Sequence, residues 1–79
     1  MIKVLFFGPV AERAGTAELA IAALPELTLG TLREQLAARY PEAFALVALV
    51  AVNGSLARDF AQPLADGSEV VFMSKFSGG

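Results

Sequence analysis

The sequence predicts an α+β fold, in which a mixed sheet of about four to five strands packs on one main helix. Two short runs rich in β-branched and aromatic residues lie at opposite ends of the chain, at residues 2–7 and 68–73. One segment between them, residues 28–41, has the apolar spacing of an amphipathic helix. Asn53-Gly54 is the strongest short signal for a hairpin turn. The 79 residues are enough for one domain.

The first quarter of the chain predicts two paired strands around a short helix. The run IKVLFF at residues 2–7 is apolar at most positions of both faces, as expected for a central strand. PVAERAG, residues 9–15, begins with proline and ends with glycine, which is typical of one or two helical turns. AELAIAAL, residues 17–24, has helical propensity but lies between a glycine and a proline. We therefore predict a short strand that pairs with the first.

The main helix is predicted from its stripe of apolar residues at helical spacing, which are Leu29, Leu32, Leu36 and Tyr40. Thr28 is a candidate N-cap, and Thr31 with Glu34 has the spacing of a capping box. Pro41 disfavours helical geometry at the residue before it, so the helix should end there.

The second half predicts the remaining strands. Residues 45–57 form a strand that runs into the turn at Asn53-Gly54, and Pro63 excludes a central strand in the segment that follows. The last strand covers residues 68–73 and can lie beside the first. This order of elements is a β-grasp, ubiquitin-like arrangement. We predict a β-grasp domain at 1–73 and an extended, flexible tail at 74–79 that ends in Gly-Gly.

Composition argues against several classes of function. The chain has no cysteine and no histidine, so it cannot form a disulfide, a thiolate nucleophile or a Cys/His zinc site, and it lacks the commonest general base. We expect no metal and no enzyme activity of the chain alone. A net charge of −2 without a basic stripe argues against nucleic acid. No apolar run approaches the roughly 20 residues that span a membrane, and no signal peptide is evident, so we expect a cytoplasmic protein.

Four stretches resemble one family, the small sulfur-carrier subunit of molybdopterin synthase. They are IKVLFFGPVAERAG at the start, VNG at the third strand, PLADGSEVVFM before the end, and the final Gly78-Gly79. The likeness runs nearly from end to end. Members of that family commonly carry prolines between the last strand and the terminal glycines, where this chain has Ser74 and Lys75.

The resemblance implies a carrier mechanism at the carboxylate of Gly79. A separate E1-like enzyme would use ATP to adenylate that carboxylate, and a sulfur donor protein would convert it to a thiocarboxylate. The loaded tail would then enter the large subunit of molybdopterin synthase and give its sulfur to a pterin precursor. This chain would bind no cofactor itself, and the two subunits would form a heterotetramer.

The tail chemistry agrees with this reading. Glycine lets a backbone approach closely and take any φ, so a terminal carbonyl can enter a narrow pocket. The residues expected to insert are Lys75, Phe76, Ser77 and Gly78. Ordering a tail costs about 1–2 kcal/mol per residue, so a docking surface on the folded domain should offset that cost. Our candidates are Phe7 and Met73, on strands expected to be adjacent, and Leu56, just after the hairpin turn.

Two alternatives remain open from the sequence. One stays within the fold: a thiamine-type sulfur carrier, or a ubiquitin-like modifier that would join Gly79 to lysines of other proteins. Thiamine carriers tend to lack the insert that here holds PVAERAG, which favours the molybdopterin pathway. The other is a non-catalytic β-grasp interaction module whose tail has no function.

Overall fold

The computed structural model describes residues 1–75, which form one five-stranded mixed sheet with three helices packed on one of its faces. The strands are β1 (Ile2–Phe6), β2 (Glu18–Ile21), β3 (Val47–Val52), β4 (Ser55–Leu56) and β5 (Glu69–Ser74), in the sheet order β2-β1-β5-β3-β4. The helices are α1 (Pro9–Ala14), α2 (Leu29–Arg39) and α3 (Pro41–Phe44). These elements confirm the predicted α+β class. Within residues 1–75, no helix is long and apolar enough to cross a membrane.

The centre of the sheet is the parallel pair of β1 and β5. Val4 lies opposite Val70 and Phe6 opposite Phe72, while β2 pairs antiparallel on the other side of β1. This confirms that the first strand is central and that the second pairs back on it. β1 ends at Phe6, one residue before the end of the predicted run 2–7. Gly8 has a φ of 54° and turns the chain into α1.

The core lies between the sheet and the helices. Alternate residues of the central strands meet the predicted stripe of α2, and six of these side chains are at most 2% exposed: Ile2, Val4, Phe6, Leu29, Leu32 and Leu36. The ring of Phe6 also contacts three other aromatic rings, those of Tyr40, Phe44 and Phe72, at centroid distances of 5.8–6.0 Å. Tyr40, the C-cap residue of α2, is only partly buried.

The ends of α2 follow from hydrogen bonding and from one proline. The Thr28 hydroxyl accepts a hydrogen bond from the backbone N–H of Thr31 at 3.2 Å, so Thr28 is the N-cap. The capping box predicted at Thr31 and Glu34 is wrong, because both residues lie inside the helix. Tyr40 leaves helical geometry before Pro41, as predicted. The short helix α3, which starts at this same proline, was not predicted from the sequence.

The β3–β4 hairpin turns at the predicted Asn53-Gly54, with φ values of 49° and 85°. Both central residues are left-handed, which asparagine and glycine tolerate best. The Asn53 side-chain carbonyl also accepts a hydrogen bond from the backbone N–H of Glu69 at 2.9 Å. The turn is therefore fastened to the start of β5.

The last strand lies one residue later than predicted, at Glu69–Ser74 instead of 68–73. β5 continues to Ser74, which pairs with Val47 of β3 and is only 7% exposed. Ser74 was predicted to belong to the tail, but strand pairing keeps it within the sheet. Lys75 follows in a turn and is exposed.

Candidate functional site

The face of the sheet opposite the helices carries two adjacent rows of apolar residues. Cross-strand register places Leu5, Val71, Ala51 and Leu56 side by side from β1 to β4. In the next row, Met73 lies opposite Leu49, and Phe7 follows β1 next to β5, where its N–H donates to the Phe72 carbonyl at 3.2 Å. We call these seven residues the open-face patch: Leu5, Phe7, Leu49, Ala51, Leu56, Val71 and Met73.

Three large side chains of the open-face patch reach far into solvent. Phe7 is 47% exposed, Leu49 is 42% exposed and Leu56 is 63% exposed. They account for half of the six large hydrophobic residues that are exposed within residues 1–75. Such clustering is unlike the scattered single apolar residues of an ordinary surface and indicates a site for a partner.

Three members of the open-face patch were predicted from the sequence, and the other four were not. The three predicted partner-binding residues, Phe7, Leu56 and Met73, lie together on one face. Leu49 was missed because it lies in the run ALVALVAV, where every residue is apolar and no alternation shows which face is exposed. Leu49 pairs with Met73, which was predicted, so knowledge of the β3–β5 register would have identified Leu49 as well.

Charged residues border the open-face patch along the side where β1 begins. Lys3 lies next to Glu69 in the β1–β5 register, and its ammonium pairs with the Glu18 carboxylate at 3.2 Å. Both partners of this ion pair are more than half exposed, so it contributes little to stability. An apolar centre with a charged rim is the usual arrangement of a protein interface.

The chain leaves the sheet next to the more exposed row of the open-face patch. β5 ends at Ser74, directly after Met73, so the C-terminal residues start beside Phe7, Leu49 and Met73. Of the predicted tail residues, Lys75 is exposed at this point. The others, Phe76, Ser77, Gly78 and Gly79, lie outside the described residues.

A bulge and a buried hydroxyl mark the end of β5. The register between β3 and β5 shifts between Val47 and Leu49, so Ala48 is the extra residue of a β-bulge. The Ser74 hydroxyl, opposite Val47, is buried without a hydrogen-bond partner, and no other buried side-chain polar atom within residues 1–75 shares that state. Because an unpaired buried hydroxyl is unfavourable, the Ser74 side chain lowers the stability of the fold.

Asp66 lies in the turn before β5 and contacts the start of the chain. Asp66 accepts a hydrogen bond from the ammonium group of Met1, and this bond, with the positive charge itself, lowers the pKa of the Asp66 carboxyl. The contact joins the start of β1 to the turn before β5. Within residues 1–75, no cluster of three or more acidic side chains is arranged to hold a metal ion.

Comparison with known proteins shows the family and the fold. Residues 4–79 match the model of the ThiS family. Over 85 aligned positions, the chain is 42% identical to the molybdopterin synthase sulfur carrier subunit of Escherichia coli K12, with the whole length of both proteins covered. This relative agrees with the resemblance found in the sequence.

Two solved structures have the same fold. SAMP1 from Haloferax volcanii superposes with a TM-score of 0.80 at 22% identity, covering 99% of this chain and 98% of that one. One chain in a complex of subunits 1 and 2 of the molybdopterin-converting factor from Helicobacter pylori superposes with a TM-score of 0.70 at 25% identity, covering 99% and 97%. The β-grasp prediction is confirmed, and the protein described here belongs to the ThiS family.

Proposed function

We propose that this protein is a sulfur carrier for molybdenum cofactor synthesis and that Gly79 carries the sulfur. The observation that supports this most directly is the terminal Gly78-Gly79 in a chain that is 42% identical, over its full length, to a molybdopterin synthase sulfur carrier subunit. The same relative favours the molybdopterin pathway over a thiamine-type carrier.

The chemistry would proceed at the C-terminal carboxylate. The Gly79 carboxylate attacks ATP on an E1-like enzyme, forming an acyl-adenylate and releasing pyrophosphate. A sulfur donor then displaces AMP and leaves a thiocarboxylate. The thiocarboxylate sulfur then bonds to a pterin precursor in the large subunit, and water cleaves the resulting thioester, which leaves the sulfur on the precursor and regenerates the Gly79 carboxylate. None of these steps needs a cysteine, a histidine or a cofactor on this chain, which agrees with its composition.

The open-face patch would hold the protein against its partner while the tail reaches the reaction site. Five residues follow Ser74, and five extended residues span about 17 Å. Ordering them costs about 5–10 kcal/mol in backbone entropy. Burying roughly 200–400 Å² of apolar surface would offset this cost. Phe7, Leu49 and Leu56 are the exposed residues that would contribute most of this area.

The partner would be the large subunit of a molybdopterin synthase. The Helicobacter pylori structure is a complex of subunits 1 and 2 of the molybdopterin-converting factor, and one of its chains shares this fold. By analogy, the open-face patch and the tail would form a single interface with the large subunit, and two copies of each subunit would make a heterotetramer. The E1-like enzyme would use the same tail at an earlier step.

Intact mass measurement tests the carrier role. The protein is incubated with an E1-like activating enzyme, ATP and a sulfur source that together load a known carrier. We expect a mass gain equal to the replacement of one oxygen by sulfur, and no gain for a variant lacking Gly79. A modifier would instead appear as a larger adduct joined to lysine. An unchanged mass, or cofactor synthesis supported by the variant lacking Gly79, would refute the proposal.

A further inference from the structure

The open-face patch continues around the edge of the sheet into a groove of about 270 Å³ beside β4. We call it the edge groove, and its lining includes Leu49, Leu56, Ala57, Arg58 and Phe60. Leu49 and Leu56 belong to both surfaces, so the apolar area is continuous from the face of the sheet to the groove. Of the three partner-binding residues predicted from the sequence, only Leu56 lines the edge groove.

Phe60 is held in place although 40% of it is exposed. Its backbone carbonyl accepts a hydrogen bond from the N–H of Gly30 at 2.8 Å, at the start of α2. A β-carbon at Gly30 would lie 3.0 Å from that oxygen, so the loop is closely packed on the helix. The guanidinium of Arg33 also lies 5.8 Å from the centre of the Phe60 ring. An aromatic wall that is already fixed loses little entropy when a partner covers it.

Arg58 supplies the only charge in the groove lining and has no acidic partner within residues 1–75. Its neighbour Asp59 is occupied elsewhere, because the Asp59 carboxylate accepts a hydrogen bond from the N–H of Ala61 at 2.9 Å. A guanidinium beside an apolar groove is well suited to a carboxylate next to an apolar side chain. The groove is therefore complementary to an acidic, apolar element of another protein.

We propose that the edge groove is a second docking site for the large subunit, which would place an apolar side chain between Leu56 and Phe60 and a carboxylate against Arg58. This inference rests on the proposed function, because continuity with the open-face patch selects the large subunit as the occupant. The groove would determine which large subunit is accepted, since a neutral or basic element at that position would leave Arg58 covered and unpaired.

The test measures the affinity of the unloaded full-length protein for the large subunit from the same organism. We expect Arg58→Glu to weaken binding about tenfold and Arg58→Ala about two- to fivefold, with both differences shrinking at high salt. Arg39→Glu is the matched control, because it makes the same change of charge at the end of α2. Its affinity for the large subunit should stay within about twofold of the wild-type affinity. Phe60→Leu should weaken binding, and Phe60→Ala should do so more strongly.

Thermal unfolding of each variant separates a loss of docking from a loss of folding. If Phe60→Ala does not fold, the affinity of Phe60→Leu still tests the role of the ring. Equal affinities for Arg58→Glu and Arg39→Glu would overturn the edge groove alone, as would an Arg58 effect that does not depend on salt. Absence of a thiocarboxylate on the wild-type protein would instead refute the carrier function. The Arg58 variants should still transfer sulfur once the concentration of protein exceeds the weakened Kd.

Discussion

Leu49 lies directly opposite Met73 on the open face of the sheet, one residue after the bulge at Ala48. The bulge reverses which face of the sheet the β3 residues before it lie on. Val47 consequently packs against the core, whereas Ala48 and Leu49 are both exposed. The regular pairing after the bulge places Leu49 on the open face, next to the point where the chain leaves the sheet.

The contribution of the open-face patch to binding can be tested with two leucines of similar exposure. Leu56 is 63% exposed within the patch, and Leu24 is 59% exposed in a separate groove formed by α2 and the loop before it. We expect Leu56→Ala to weaken binding to the large subunit by about 1 kcal/mol, or about fivefold in Kd, because it removes a contact made only in the complex. Leu24→Ala should bind as wild type does.

Titration calorimetry with the separate subunits measures both affinities. Since both leucines are largely exposed in the free protein, neither substitution should lower the melting temperature by much. Equal losses of affinity for the two variants would exclude the open-face patch as a specific docking site.

Periodicity predicted the elements well where apolar and polar residues alternate, but it could not predict the register. The stripe on α2 and the turn at Asn53-Gly54 were identified correctly, because helical spacing and left-handed φ are properties of a local sequence. The bulge at Ala48 depends on how β3 pairs with β5, which no local pattern in ALVALVAV records. The edge groove was missed for a similar reason, since Phe60 is fixed by a hydrogen bond to Gly30, thirty residues earlier.

Replacing Ser74 with alanine should stabilise the protein. The Ser74 hydroxyl is buried without a hydrogen-bond partner, and removing it relieves an unfavourable burial of about 1 kcal/mol. For a domain of this size, that gain corresponds to a rise of about 4–8 °C in melting temperature. Ser68→Ala is the control, because Ser68 is buried to a similar extent without an unpaired buried hydroxyl. A melting temperature that is unchanged or lower in Ser74→Ala would mean that the hydroxyl has a partner in solution.

Asn53 stabilises the hairpin in two ways that substitutions can separate. Its φ of 49° is unfavourable for most side chains, and its side chain accepts the hydrogen bond from Glu69. Asn53→Gly keeps the backbone conformation and loses only the hydrogen bond, so it should destabilise the protein by about 1 kcal/mol. Asn53→Ala loses both and should cost about 2 kcal/mol. Urea unfolding gives both values, and the prediction fails if the alanine variant is as stable as the glycine variant.

Acid should weaken the contact between Asp66 and the N-terminus. The hydrogen bond from the Met1 ammonium lowers the pKa of the Asp66 carboxyl below its ordinary value of 3.8. A carboxyl whose pKa is lower in the folded protein than in the unfolded chain stabilises the fold above the unfolded pKa, and this contribution is lost as the pH falls through the folded pKa. Wild type should therefore lose more stability below about pH 4 than Asp66→Asn does. Urea unfolding at neutral and acidic pH measures these losses, and parallel pH profiles for wild type and Asp66→Asn would show that the contact does not stabilise the fold.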